Sequence, residues 1–193
     1  MIAIVKYNAG NISSVKTALE RLGEDVIITD YPKILNAAEK VIFPGVGEAS
    51  SAMSYLKERG LDETIKNLRQ PVLGVCLGLQ LLCNWSEEGD TKCLGIFENK
   101  VQKFPPKDIV PHMGWNSFES ISENPLLKSI NQSDDMYYVH SYFAEISPDT
   151  IATCGYINEF SAVLQKDNFY ATQFHPEKSG EIGQIILKNF IEL

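Results

Sequence analysis

The segment Gly74-Val75-Cys76-Leu77-Gly78 places one of four cysteines between two glycines. An apolar segment precedes it and a helix-forming segment follows, so it is the thiol counterpart of the Gly-x-Ser-x-Gly nucleophile elbow. Glycines suit so sharp a turn because neighbouring backbone leaves no room for side chains. The N–H groups at the start of the next helix favour a thiolate and can hold an oxyanion. We predict that Cys76 is a nucleophile; on this pattern alone, a small buried side chain is the competing interpretation.

A histidine that can serve such a thiol lies near the end of the chain, in His175-Pro176-Glu177. Pro176 restricts His175 to an extended conformation. Side chains two positions apart on an extended segment point the same way, so the Glu177 carboxylate can orient the imidazole. The competing interpretation is that His175 ends a strand and Glu177 is an acidic residue in the first turn of the last helix.

A third pattern, Pro44-Gly45-Val46-Gly47, follows another apolar segment. Glycines there let backbone N–H groups turn toward a ligand, although taken alone a simple turn is the more common explanation. The pattern is too short for a phosphate-binding loop and lacks its Lys-Ser/Thr ending. The three histidines and four cysteines have no zinc-ligand spacing, so we expect no metal ion and no cofactor.

Short apolar strands alternate with helical segments through the first half of the chain, which is typical of a parallel sheet covered by helices on both faces. Asn11 is a candidate cap for the first of these helices, and Gly23 lies just past its end. Both Gly47 and Cys76 fall at carboxyl ends of predicted strands, where such sheets bind their ligands. The predicted strands are 2–7, 25–29, 40–43 and 71–75, and the clearest helices are 12–22 and 77–84.

The second half of the chain changes character. A proline-rich loop is predicted at Lys103–Pro111, and a final helix begins at about Ser179. Short turns join the strands predicted at 113–118, 136–143, 150–156, 160–166 and 169–174, which indicates antiparallel additions. We find no repeat and no domain boundary. The sequence therefore predicts one three-layer α/β domain over residues 1–193, with a mostly parallel central sheet flanked by helices and antiparallel strands in its C-terminal half.

The composition excludes several classes of function. The 193 residues carry a net charge of −8, which disfavours binding to nucleic acid or to anionic membranes. No apolar run approaches the roughly 20 residues needed to span a bilayer, and the first residues read as a strand rather than a signal peptide. Four scattered cysteines predict no disulfide framework. We expect a cytoplasmic protein with reduced thiols.

Two motifs resemble those of the class I, or triad-type, glutamine amidotransferases: residues 74–80, Gly-Val-Cys-Leu-Gly-Leu-Gln, and residues 173–177, Gln-Phe-His-Pro-Glu. Their order along the chain also agrees, and the resemblance covers nearly the whole sequence. It implies that Cys76, His175 and Glu177 form a triad that hydrolyses L-glutamine to glutamate and ammonia.

The same resemblance implies roles for residues around the triad. Backbone N–H groups of Leu77 and, after a rearrangement, of Gly47 would hold the oxyanion. The side chain of Gln80 and the backbone around Ser141 and Tyr142 would bind the amino-acid end of glutamine.

Further segments resemble the glutaminase subunits of imidazole glycerol phosphate synthases, enzymes of histidine biosynthesis. The most telling is Met113-Gly114-Trp115-Asn116, because no generic structural role explains it. Val46 stands where other class I members have a second consecutive glycine, and this agrees with these subunits. The Met-Gly-Trp-Asn segment lies within residues 111–116, and the other segments that carry the resemblance are residues 6–11, 43–47, 138–142 and 175–179.

The narrower resemblance implies a heterodimer. Ammonia at neutral pH is mostly protonated, so it must pass directly to an acceptor site, and nothing in this sequence resembles one. The implied partner is a (β/α)₈-barrel cyclase that uses the ammonia to make imidazole glycerol phosphate and AICAR. The residues that match positions near its interface are Asn11, Trp115, Asn116, Tyr137 and Lys178.

Two other functions stay open at this point. The chain could serve another amidotransferase, such as one in a surface-sugar pathway, or it could be a regulatory module that has lost catalysis. The intact Cys76, His175 and Glu177 argue against the second of these.

Overall fold

The computed structural model describes residues 1–193. Its first half alternates strands with helices. The four strands, the first helix and the helix after Cys76 begin and end within a few residues of the predicted positions. In chain order the elements of this half are β1 (Ile2–Val5), α1 (Ile12–Arg21), β2 (Val26–Thr29), α2 (Pro32–Ala37), β3 (Lys40–Gly45), α3 (Ala49–Glu58), α4 (Leu61–Lys66), β4 (Val72–Cys76) and α5 (Leu77–Leu82).

The second half consists mainly of strands. Two single turns of 3₁₀ helix, at Pro125–Leu127 and Pro176–Lys178, interrupt them. The remaining elements are β5 (Trp85–Ser86), β6 (Thr91–Lys92), β7 (Lys100–Lys103), β8 (His112–Asn116), β9 (Ser120–Ile121), β10 (Met136–His140), β11 (Tyr142–Ala144), β12 (Thr150–Gly155), β13 (Glu159–Lys166), β14 (Phe169–Thr172) and α6 (Gly180–Glu192).

An eight-stranded sheet organises the molecule, in the order β2-β1-β3-β4-β14-β13-β12-β9. The pairs from β2 to β14 are parallel, whereas β13, β12 and β9 extend the sheet with antiparallel pairs. This mixed sheet confirms the predicted α/β class and its antiparallel additions. Two smaller sheets, β10-β8 and β11-β7-β5-β6, lie outside it.

Both faces of the large sheet are buried. Side chains alternate between the faces along a strand, so β1 contributes Ala3 and Val5 to a cluster of 28 buried residues on one side. Ile2 and Ile4 point the other way, into a second cluster of 25 buried residues. Layers on both sides of a central sheet are the arrangement that a continuous apolar strand requires.

Two features differ from the sequence-based expectation. The strand predicted at 136–143 is two strands that separate at Ser141, because β10 pairs with β8 while β11 pairs with β7. The two-residue strands β5, β6 and β9, the four-residue strand β7 and the short helix α2 were not predicted, since so few residues carry no readable periodicity. None of the helices combines the length and the apolar character that a membrane span requires.

Candidate active site

Cys76 lies at the sharp turn that the sequence predicts. It is the last residue of β4 and immediately precedes α5, with φ 54° and ψ −106°. Positive φ in a residue with a Cβ is strained, and surrounding packing must hold it. The strained backbone aims the thiol out of the strand, at one end of a cavity lined by residues from several other elements.

A side chain is sterically excluded at each of the two glycines that flank the turn, by different neighbours. A Cβ at Gly78 would lie 1.8 Å from the carbonyl oxygen of Phe43, on the neighbouring strand β3. A Cβ at Gly74 would lie 2.7 Å from Cδ1 of Leu82 and 3.0 Å from the carbonyl carbon of Gly78. Gly78 therefore lets α5 pack directly on the backbone of β3, and Gly74 lets α5 pack on its own strand.

The parallel pairing of β14 with β4 brings His175 to the thiol. Thr172 pairs with Val75, so the segment that follows β14 leaves the sheet beside Cys76. Nδ1 of His175 lies 2.8 Å from Oε1 of Glu177, and both side chains are fully buried. The three residues named by the sequence patterns are therefore together in the structure.

The electrostatic environment favours a charged His175. Burial by itself lowers the pKa of the ring, but the charge of Cys76, hydrogen bonds to Cys76 and Glu177, and the charge of Glu177 outweigh it and raise the pKa to about 10. Its Nδ1 faces Glu177, and its buried Nε2 has no hydrogen-bond partner within the protein.

Asn11 does not cap helix α1 through its side chain. It precedes the helix with φ 71° and makes no side-chain capping bond. Its amide instead donates to Oε1 of Glu177 and lies 3.4 Å from Nδ1 of His175. The prediction that the Asn11 side chain caps α1 is therefore wrong. The side chain bonds to Glu177 instead, and a local sequence pattern cannot report a contact with so distant a residue.

A cavity of about 260 Å³ opens beside Cys76. It contains every residue that the resemblance assigns to oxyanion or glutamine binding, together with others that the resemblance does not assign. The lining residues besides Cys76 are Val46, Gly47, Leu77, Gln80, Glu88, Pro111, Val139, His140, Ser141 and Tyr142.

A chain of hydrogen bonds fixes the side chain of Gln80. Its Nε2 donates to the carbonyl of Tyr142 at 2.9 Å and to Oε1 of Gln173 at 3.1 Å. Both donors are thereby occupied, so Oε1 of Gln80 is left to accept from a ligand. Nε2 of Gln173 lies 3.7 Å from Sγ of Cys76. Gln173 is a contact of the nucleophile that the sequence patterns did not assign.

Glu88 is the one carboxylate among the cavity residues, and it was not predicted. Its Oε2 accepts from the backbone N–H of Ala49 at 2.8 Å, and its Oε1 has no partner within the protein. Burial raises the pKa of this group, the bond from Ala49 lowers it, and the nearby charge of Glu48 raises it further. Its neighbours in the sequence are also polar, which made it indistinguishable from a residue of a solvated loop.

The peptide that joins Val46 to Gly47 is held in one orientation. The carbonyl of Val46 accepts from the N–H of Gly10 at 3.1 Å, and Gly47 has φ 142°. A peptide's C=O and N–H point in opposite directions. The direction of the Gly47 N–H is therefore tied to the bond between Gly10 and Val46.

The residues matched to a partner interface divide into exposed and inward-facing ones. Trp115 is 58% exposed, and its ring centroid lies 5.8 Å from that of Tyr137 on the paired strand. Lys178 is exposed beside the triad. Asn116, in contrast, turns its amide inward, where Nδ2 donates to the carbonyl of Gly155 at 2.9 Å. No group of three or more His, Cys, Asp or Glu residues has the arrangement of a metal site.

Comparison with known proteins places this site in a family. The family model "Glutamine amidotransferase class-I" matches residues 3–193. A solved structure described as a glutamine amidotransferase superposes with a TM-score of 0.78 at 18% identity, covering 99% of this chain and 97% of that one. A chain in the structure of PurLQS from Thermotoga maritima gives 0.69 at 16% identity, with coverages of 99% and 97%. These two likenesses show the shared fold.

Relatives with higher sequence identity identify a narrower family. The imidazole glycerol phosphate synthase subunit HisH of Bacteroides fragilis (strain YCH46) is 56% identical, with 100% of this chain and 99% of that protein covered. The HisH subunit of Pasteurella multocida (strain Pm70) is 46% identical, with coverages of 99% and 97%. The chain therefore belongs to the class I glutamine amidotransferases and, within them, to the family of HisH subunits of imidazole glycerol phosphate synthase.

Proposed function

We propose that this chain, acting as a single domain over residues 1–193, is the glutaminase subunit of an imidazole glycerol phosphate synthase. The observation that carries the proposal is the position of Cys76: it opens onto a cavity of about 260 Å³ and has the buried His175–Glu177 pair behind it. The family relationship supplies the pathway, histidine biosynthesis. The reaction is hydrolysis of L-glutamine to glutamate and ammonia.

The first half of the reaction is acyl transfer to sulfur. The thiol proton of Cys76 passes to Nε2 of His175, Sγ attacks the side-chain amide carbon of glutamine, and the carbonyl oxygen becomes an oxyanion. The proton on Nε2 of His175 passes to the amide nitrogen, so that the C–N bond breaks and ammonia leaves. Glu177 holds the ring through Nδ1 and stabilises its cation.

The second half releases glutamate. His175, now neutral, takes a proton from a water molecule as the oxygen attacks the thioester carbon. The tetrahedral intermediate collapses, the C–S bond breaks, and sulfur leaves as a thiolate beside the reprotonated ring. The sum is glutamine and water converted to glutamate and ammonia, with the triad restored.

Backbone N–H groups hold the oxyanion in both halves. Leu77 provides one because it begins α5 directly after the nucleophile. Gly47 provides the other once its peptide rotates, and that rotation breaks the bond from Gly10 to Val46. Activity of the isolated chain is therefore expected to be weak until partner binding favours the rotated peptide.

The amino-acid end of glutamine carries both an ammonium and a carboxylate, and the cavity offers groups for both. Oε1 of Gln80 and the carboxylate of Glu88 accept from the ammonium. Backbone N–H groups around Ser141 and Tyr142 donate to the carboxylate. Glu88 is the only carboxylate in the cavity lining. A hydrogen bond between its carboxylate and the substrate ammonium is charge-assisted, and such bonds are stronger than those between neutral groups.

We expect Glu88→Gln to raise the KM for glutamine about tenfold and to leave kcat within about twofold, since a charge-assisted bond contributes about 1.5–3 kcal/mol. The amide still accepts from Ala49, so the loop keeps its structure. Steady-state glutaminase kinetics on the assembled complex measure the effect. Glu87→Gln is the matched control because Glu87 is exposed and bonds to Lys103 instead; an equal rise in KM there would contradict the assignment.

Ammonia must reach an acceptor without being protonated, which requires a partner docked close to the site. The partner is the cyclase subunit, a (β/α)₈ barrel, and the assembly is a cytoplasmic heterodimer. The outer face of the β10-β8 sheet is suited to it: Met113 and Trp115 are 64% and 58% exposed, and register sets Tyr137 and Val139 opposite them. An exposed apolar face of this kind is typical of a protein interface.

The assembly is tested by measuring glutamate release from glutamine by the purified chain, alone and with the cyclase subunit from the same organism. We expect the cyclase to raise the rate by at least about a hundredfold and ammonia to enter imidazole glycerol phosphate without equilibrating with the solvent. Equal and substantial activity alone would overturn the coupling. Incorporation of the ammonia only with a different synthase would redirect the chain to another pathway.

We expect Trp115→Ala to weaken the affinity for the cyclase about thirtyfold, because buried tryptophans at interfaces commonly contribute about 2 kcal/mol or more. Titration calorimetry of the two subunits gives the dissociation constant directly. Tyr31→Ala serves as the control, since Tyr31 is 68% exposed but lies outside the β10-β8 sheet. A dissociation constant unchanged by Trp115→Ala would exclude this face as the docking surface.

A further inference from the structure

Two buried histidines that the triad does not use lie side by side at the cavity, and one of them, His140, lines it. His112 on β8 and His140 on β10 are paired in register, with Nδ1 of His112 at 3.1 Å from Nε2 of His140. The other ring nitrogen of His140, Nδ1, lies 2.7 Å from the carbonyl oxygen of Tyr142. The pair therefore connects the strand that carries Trp115 with the backbone of the glutamine cavity.

The acceptor at one end of these hydrogen bonds determines which nitrogen donates in each of them. A carbonyl only accepts, so Nδ1 of His140 carries the hydrogen and its Nε2 must accept from Nδ1 of His112. Nε2 of His112 then accepts from Nδ2 of Asn116 at 3.3 Å. The amide of Asn116 is oriented independently, since Oδ1 accepts from the N–H of Ser117 at 2.9 Å. Every donor thus has an acceptor.

Both rings stay neutral, which this arrangement requires. Burial lowers the pKa of His112 to about 4. Burial also lowers the pKa of His140 to about 3; the bond to Tyr142 opposes that shift, and the charges of His112 and His175 add to it. A neutral ring has one donor and one acceptor, so the tautomer is set by the neighbours and does not change near neutral pH.

The last hydrogen bond of this series, from His140 to the Tyr142 carbonyl, fixes backbone that would bind substrate. In the β11-β7 ladder the N–H of Phe104 bonds to the carbonyl of Ser141, and that of Glu145 to Lys100. Alternate residues of an antiparallel pair direct both backbone groups away from the partner strand, and Tyr142 is one of these. Its carbonyl receives His140 and Gln80 together, so its N–H is directed to the same side, toward the cavity.

We propose that His112 and His140 are positioning residues: their nitrogen-to-nitrogen hydrogen bond holds the Tyr142 backbone and the Gln80 amide in the orientation that binds the amino-acid end of glutamine. The inference rests on the proposed glutaminase function and adds to it two residues that touch neither the reacting atoms nor the nucleophile. It also gives the cyclase-facing strand β8 a direct connection to substrate binding.

Aromatic packing is the alternative role for the two rings. His112 stacks against Tyr138 with centroids 5.0 Å apart and against Tyr156 with centroids 4.2 Å apart. His140 lies 5.0 Å from Phe160. Packing needs the ring shape, whereas positioning needs the nitrogens. Phenylalanine keeps the ring shape and removes the nitrogens. Asparagine removes the ring but keeps a donor, because its amide nitrogen reaches the place of Nδ1.

In the complex with the cyclase, we expect His140→Phe to raise the KM for glutamine about tenfold with kcat within about threefold of the wild type. His112→Phe, one bond further away, is expected to raise KM about threefold. His140→Asn restores the donor to Tyr142 and is expected to return KM to within about threefold of the wild type. Thermal unfolding of each variant shows whether it is folded.

Tyr156→Phe is the matched control: it keeps the ring stacked on His112 and removes only a hydroxyl bonded to the carbonyl of Ile109. Its KM should equal that of the wild type. Long-range ¹H–¹⁵N spectra of wild-type imidazoles add a readout that needs no activity, and we expect His112 and His140 to be neutral with hydrogen on Nδ1 between pH 5 and 8.

Four outcomes would contradict these expectations. A folded His140→Phe with unchanged KM, or spectra showing hydrogen on Nε2 of His140, would overturn the positioning role while leaving the glutaminase intact. A lower kcat at unchanged KM would assign the pair to the chemical step instead. A wild-type complex that releases no glutamate would refute the proposed function itself, and the inference with it.

Discussion

Cys76→Ala is expected to abolish glutamate formation from glutamine in the complex with the cyclase, by at least about a thousandfold, because no other group can form the acyl intermediate. The same complex supplied with ammonium salts should continue to make imidazole glycerol phosphate at the wild-type rate. The two assays separate the chemistry of Cys76 from assembly, since a variant that failed to fold or dock would disturb the cyclase reaction as well.

The control for this prediction is another buried thiol. Cys83 lies seven residues further on, has no glycine on either side, is buried in the core, and has its thiol hydrogen-bonded to the carbonyl of Leu79. Cys83→Ala should keep glutaminase activity. Treatment of the wild type with 6-diazo-5-oxo-norleucine, followed by peptide mass spectrometry, should place the adduct on Cys76. Labelling of Cys83 in preference to Cys76, or persistent glutaminase activity in Cys76→Ala, would refute the triad.

Gly78→Ala is expected to lower the free energy of unfolding by about 3 kcal/mol or more and to remove glutaminase activity. The added Cβ would lie 1.8 Å from the carbonyl oxygen of Phe43, and both atoms are anchored in backbone. Relief requires α5 to move away from β3. The movement would displace Leu77, the first residue of that helix, and with it the oxyanion donor beside Cys76.

Chemical denaturation followed by circular dichroism gives the loss of stability. Gly23→Ala is the matched control: Gly23 has φ +88°, and nothing lies within 4 Å of its missing Cβ. Its cost is that of backbone strain alone, about 1 kcal/mol. If the two substitutions cost the same, the close approach of α5 to β3 does not explain the second glycine of the motif.

Local patterns in the sequence were sufficient for the longer elements and for predicting the nucleophile. Periodicity predicted most strands and helices because each reports the burial of its own side chains. The glycines around Cys76 predicted the elbow because steric exclusion acts on neighbours along the chain and on the adjacent strand. His175 is extended, as Pro176 predicts, but Pro176–Lys178 form a 3₁₀ turn rather than an extended segment. The prediction that Glu177 reaches His175 is confirmed, whereas the extended geometry proposed for it is wrong.

Other parts of the site depend on contacts between distant segments. Asn11 carries the local pattern of a helix cap, yet its amide bonds to Glu177, 166 positions away. Glu88 lies in a polar loop, and only the approach of Ala49 and the cavity distinguish it from its neighbour Glu87. His112 and His140 became a pair through strand register, which no spacing in the sequence reports.

The sequence by itself determined which groups can react: a thiol at an elbow, and an imidazole with a carboxylate two positions on. Only the tertiary structure decided that they meet, because β14 inserts beside β4 in the central sheet and delivers His175 to Cys76 across 99 positions. The physical reason is the range of the forces involved. Backbone sterics and side-chain periodicity act over a few residues, whereas strand pairing and burial join segments whose separation in the chain has no fixed relation to their distance in space.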